Sequence, residues 1–204
     1  MPSCLFLKMN IQYIIAYSSM VAWLLPPFRQ FRGKYFYYFL VLGLEGLTTM
    51  LFAYLQINIL KLYNIVNIIL LLTLVNPTSV KKYRYLFIIS LAGVLLINHI
   101  SDTKLLFLAN IIGYMVIFYI FLKNTVIDYY KNDSLRVGFL IILLYQITII
   151  LKFYFVLRNI HIGLIFYYLT TAFEDFIAIF FTIYKVEEAP SIKPTSSLPK
   201  QEKS

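Results

Sequence analysis

Seven apolar stretches of membrane-crossing length follow one another along the chain, at residues 5–25, 35–55, 57–75, 83–100, 105–122, 137–157 and 162–184. A helix needs about 17–25 apolar residues to cross a hydrocarbon core of about 30 Å, with its backbone amides satisfied inside the segment. Barrel strands do not fit. No stretch alternates with period two, and each is about twice the roughly 10 residues of a barrel strand. The sequence therefore predicts an all-α, polytopic membrane protein, a bundle of seven transmembrane helices filling residues 1–185. The second and third stretches nearly fuse at Gln56, which predicts a tight helical hairpin, and the longest internal loop is expected from Lys123 to Arg136. From Val186 the chain turns to Glu, Pro, Ser and Lys, a composition with little to bury, so residues 186–204 are expected to form a disordered cytoplasmic tail.

Composition agrees with a lipid solvent. Hydrophobic residues make up 61% and charged residues 13%, against about 45–50% and about 25% in soluble domains. The net charge of +9 does not mark a nucleic-acid binder, because the basic residues form short clusters between apolar stretches and not one solvated face. They alternate by loop. Thirteen of the 18 Lys and Arg residues fall on one side of the predicted membrane and five on the other. Basic loops stay in the cytoplasm, so the N-terminus is expected outside and the C-terminus inside, in a bacterial inner membrane or plasma membrane. The first stretch is read as a retained helix: a cleaved signal would send Arg29, Arg32 and Lys34 outward. The single cysteine, Cys4, excludes an internal disulfide and a CxxC pair.

Three acids lie near the middle of predicted spans: Glu45, Glu174 and Asp175. Ionisable groups at that depth are functional candidates by default. Thr49 shares a helix face with Glu45 and Thr171 with Glu174, and Asn67, Asn110 and Gln146 sit at similar depth. These eight residues are the candidate intramembrane polar core. No Lys, Arg or His is expected at the depth of the acids, since Lys8, Lys61 and Lys152 lie close to outer helix ends and can snorkel outward. Acids without bases suit hydrogen-bonding between neutral carboxyls, a proton path, or a pocket for an amine or metal cation. The sequence predicts helices two and seven side by side, with Glu45 sharing a proton with Glu174 or Asp175 and with Gly43 and Gly46 allowing the close approach.

A second candidate set is basic. Arg29, Arg32 and Lys34 in one loop and Lys81, Lys82 and Arg84 in another, each with flanking aromatics, read as a cytoplasmic anchor for anionic headgroups. A protein partner is the alternative. His99, Asp102 and His161 fall in outer loops and are read as loop residues, with no metal site assigned.

Seven helices with an external N-terminus resemble heptahelical receptors and microbial rhodopsins in architecture. The lysine that rhodopsins carry in the seventh helix is replaced here by Glu174 and Asp175, which removes retinal chemistry, and the Pro-Gln pair of PQ-loop sugar transporters is missing. No GxSxG or HExxH occurs. The chain is therefore expected to be non-catalytic and to need no cofactor. The expected function is a sensor or receptor-like module, or a subunit of a membrane complex. Its partners would be the lipid bilayer and another membrane or cytoplasmic protein. A proton- or cation-coupled solute transporter using Glu45, Glu174 and Asp175 is the first alternative. An intramembrane lipid-modifying enzyme using a carboxyl as general acid or base is the second.

Overall fold

The computed structural model describes residues 17–56, 58–75, 80–158 and 164–193. Within them the chain is all-α apart from two strands of two residues each. The helices are α1 (residues 17–24), the single turn α2 (Pro26–Arg29), α3 (Phe36–Tyr54), α4 (Ile59–Leu74), α5 (Val80–His99), α6 (Thr103–Asn132), α7 (Val137–Leu157) and α8 (Leu164–Ile183). Two of them, α6 and α7, are long and apolar enough to cross a membrane. Phe36–Phe52, Ile59–Leu74 and Arg84–His99 are apolar but shorter.

Local chemistry sets the helix ends. Pro26 and Pro27 open α2, where a missing amide hydrogen costs nothing. Asn58 caps α4 by accepting from the Leu60 amide at 3.0 Å, and Asp102 caps α6 by accepting from the Lys104 amide at 2.8 Å. The expected α3–α4 hairpin turns at Gln56, whose φ of 56° reverses the chain in the left-handed region.

Two expectations are corrected here. The loop from Lys123 to Arg136 is mostly helix, because α6 continues ten residues past Leu122. Lys123, Asp128 and Lys131 are exposed or half-buried positions of a continuing helix, and Asn132 donates to the Asp128 carboxylate at 2.8 Å. It stops only at Asp133, with φ 50°. The tail is also not disordered from Val186. Residues 186–193 fold back as a strap across one end of the bundle, with Val186 and Ala189 buried. Strand β2 (Ser191–Ile192) pairs antiparallel with β1 (Leu135–Arg136), just before α7. Polar composition hid this, because the segment is held by charge and backbone pairing more than by apolar area. Residues 194–204 lie outside the described residues.

The helices form a ring. α3 packs on α4, α4 on α6, α6 on α7 and α7 on α8, while α2 joins α8 to α3 and α5 packs against α4. The interior is an apolar core with polar residues set into it, and the exterior is apolar as well. Gln30, Asn64, Asn67, Asn110 and Gln146 are buried, whereas Ile89 and Leu96 on α5 are each 66% exposed. A continuous apolar exterior of this kind marks a surface built for contact with lipid or protein.

Gln30 closes the ring at one end. Its amide donates to the carbonyls of Phe181 (3.1 Å) and Tyr184 (2.9 Å), and its oxygen accepts from the Val186 amide at 3.4 Å. One side chain thus satisfies the last turn of α8 and starts the strap. Gln30→Ala leaves three backbone groups to find water and is expected to cost about 2 kcal/mol. Limited trypsin digestion at Lys185 should be faster in this variant. An unchanged cleavage rate would show that Gln30 does not hold the strap.

Candidate functional site

The helices line a partly open cavity of about 670 Å³, within the range of small-molecule sites. Every long element except α5 contributes. The α1 wall is Ser19, Met20 and Trp23, and the α3 wall is Leu42, Glu45, Gly46, Thr49 and Met50. Tyr63 of α4 and Phe107 and Tyr114 of α6 form the next face. α7 adds Tyr145, Ile149, Lys152 and Phe153 among others, and α8 adds Thr170, Thr171 and Glu174.

Four of the eight predicted polar-core residues meet here: Glu45, Thr49, Thr171 and Glu174. Asn67, Asn110 and Gln146 do not line the cavity. Asn67 donates to the backbone oxygen of Asn110 at 3.3 Å and to its side-chain oxygen, which ties α4 to α6. Gly113 makes room for this pair, since a Cβ there would sit 3.1 Å from the Asn67 amide. The Gln146 amide donates to the Tyr38 hydroxyl at 2.6 Å, tying α7 to α3. Such pairs tie helices together by satisfying buried polar groups across the contact. Asp175 is not part of the cavity lining; it is hydrogen-bonded to Ser19, and its buried Oδ1 has no partner among the described residues.

The expectation that the acids have no base at their depth is overturned. Lys152 Nζ lies 2.7 Å from Glu174 Oε1, with both side chains at least three-quarters buried. The lysine side chain leans into the ring, where the Glu174 carboxylate offsets the cost of burying its charge. The close approach to Gly43 and Gly46 is real but comes from α1. A Cβ on Gly43 would lie 2.8 Å from the Trp23 carbonyl oxygen, and one on Gly46 would lie 3.2 Å from Met20 Cγ. α3 and α8 touch through the rings of Phe39 and Phe181, 4.8 Å apart. Glu45 and Glu174 therefore share the cavity, and Lys152 is paired with Glu174.

Aromatic rings make most of the remaining wall. Trp23 and Tyr145 are 4.8 Å apart, Tyr114 stacks on Phe153 at 5.8 Å, and Tyr63 meets the same Phe153 edge-on at 5.7 Å. The aromatics singled out in the sequence are those flanking the basic loops. The mid-helix positions of Tyr114 and Tyr145, the latter beside Gln146, were the available signal for an interior role.

The basic set separates as well. Arg29 donates to the Ile183 carbonyl at 3.0 Å and pairs with Glu188 at 3.3 Å, and the Lys34 amide donates to Glu187 at 3.1 Å. Both residues thus engage the strap. Arg32 and Arg84 are exposed. The side chains of Lys81 and Lys82 lie outside the described residues, as does His161. Asp102 serves as a helix cap, and among the described residues no three His, Cys, Asp or Glu side chains converge on a metal position.

No protein-family model matches this chain, and neither a curated protein nor a solved structure is significantly similar to it.

Proposed function

We propose that the chain is a seven-helix membrane protein of sensor or receptor type, N-terminus outside and C-terminus in the cytoplasm, that binds a small ligand within its ring. The observation that carries this reading is the cavity, formed jointly by six helices and lined by both charged and aromatic side chains. A cavity shared by so many elements couples their positions to its occupant, which is the physical requirement for a ligand to bias a conformation. The apolar exterior and the 13-to-5 partition of Lys and Arg support the membrane topology. In that topology the lining falls mainly in the outer halves of α4, α6, α7 and α8, so the ligand enters from outside.

Transport is the weaker reading. Transporters commonly build their sites from interrupted helices, and the non-glycine residues with positive φ among those described, Arg32, Gln56 and Asp133, all lie between helices. Of the three acids proposed for coupling, Glu174 is engaged by Lys152 and Asp175 by Ser19.

Two measurements test the proposal. Cys4 is the only cysteine, so a membrane-impermeant maleimide should label it in intact cells. Labelling only after lysis overturns the orientation. Liposomes carrying the purified protein and a trapped pH dye should leak protons no faster than empty ones, and faster leakage overturns the sensor reading in favour of transport.

A further inference from the structure

The charges lining the cavity do not cancel. Lys152 and Glu174 neutralise each other across 2.7 Å. Glu45 is the remaining charged residue of the lining, and among the described residues no cation pairs with it. With Glu45 ionised, the lining carries one net negative charge among walls rich in aromatic rings, whose faces are negative at their centres.

Each class of ligand can be weighed against this wall. An anion meets Glu45 and finds the lysine already occupied. A zwitterion such as an amino acid has the same difficulty at its carboxylate end. A divalent metal ion requires about six oxygen ligands, and the lining offers Glu45 and a few hydroxyls while Glu174 is held by Lys152. A neutral solute can offer Glu45 a hydrogen bond but no countercharge. A singly charged organic cation satisfies both features, since its charge meets the carboxylate and its body covers the rings.

We infer that the cavity takes a small organic monoamine, its ammonium set against Glu45 and its apolar body against Trp23, Tyr114, Tyr145 and Phe153. This rests on the ligand-binding reading above and adds the chemical class of the ligand. Thr49, one turn from Glu45 on the same helix face and also in the lining, stands where its hydroxyl can accept a second ammonium hydrogen. The neutral Lys152–Glu174 pair then acts as a floor that repels neither end of the molecule.

The chain contains one tryptophan, and it lines this cavity. Intrinsic emission therefore reports occupancy directly. The probes are three molecules of one shape: 2-phenylethylamine as the cation, 2-phenylethanol as the neutral form and 3-phenylpropanoate as the anion, each titrated against purified protein in detergent. The amine is expected to change Trp23 emission with an affinity about tenfold above the alcohol, and the anion to give no response. Glu45→Gln is expected to reduce the amine to the alcohol's affinity and leave the alcohol unchanged, while Glu45→Asp keeps the preference. Equal binding of amine and alcohol by the parent protein overturns the amine assignment and leaves a binding cavity in place. Silence of Trp23 toward all three probes overturns the binding reading itself. The charge series on the parent protein decides the matter even if Glu45→Gln fails to fold.

Discussion

Lys152→Met is expected to lower unfolding stability by about 2–3 kcal/mol, somewhat less than the roughly 3–5 kcal/mol of a fully buried pair. The reason is asymmetric. The methionine fills most of the volume, but Glu174 is left as a carboxylate facing an aromatic wall with its cation gone. Adding Glu174→Leu removes the stranded charge, and the double variant should recover most of the loss, since a well-packed apolar pair commonly replaces an ion pair at little cost. Denaturant unfolding of purified protein in mixed micelles gives both numbers. A single variant as stable as the parent would mean that this ion pair does not hold α7 against α8.

Gly43→Val should act through α1. The added Cβ would meet the Trp23 carbonyl oxygen at 2.8 Å, and that oxygen belongs to backbone, which cannot swing aside as a side chain can. The helices must separate, at an expected cost of about 3 kcal/mol. Trp23, only 8% exposed in the parent, should then emit at longer wavelength. Gly46→Ala provides the contrast. Its new methyl group would face Met20 Cγ at 3.2 Å, the flexible part of a thioether side chain that can yield, so stability and emission should change little. Equal effects at both positions would remove the distinction between a backbone and a side-chain contact on which this argument depends.

Much of the helical pattern was legible in the sequence, because apolar length is a local property. The bounds of α7 at Val137 and Leu157 match the apolar stretch residue for residue, and α3 and α4 begin and end within two residues of theirs. What the sequence hid was relational. Lys152 lies five residues from the end of α7 and Glu174 ten residues into α8, a difference in depth of roughly 7 Å at 1.5 Å per residue. Counting along each helix assigns them to different layers, and only the direction in which the long lysine side chain leans brings them together. The glycines of α3 announced a close neighbour without naming it, since small residues specify the distance between two helices and not the identity of the second. Residues 186–193 failed for a third reason. Their contacts are backbone pairing and single charges such as Glu187 to Lys34, none of which leaves a hydrophobic period to read.

The strap gives the bundle an unexpected mechanical layout. The chain leaves α8 at Ile183, crosses the end of the ring, and is stitched to the start of α7 by the Leu135–Ile192 ladder and by the Val137 amide on the Pro190 carbonyl at 2.9 Å. Anything attached beyond Lys193 hangs from the α6–α7 corner and not from the helix that precedes it. A pull on that attachment loads the β1–β2 ladder and the Arg136–Asp128 clasp behind it, at 3.0 Å, before any force reaches α8. Force applied to the following segment thus enters the bundle through the first turn of α7, at the opposite end of the helix from Lys152.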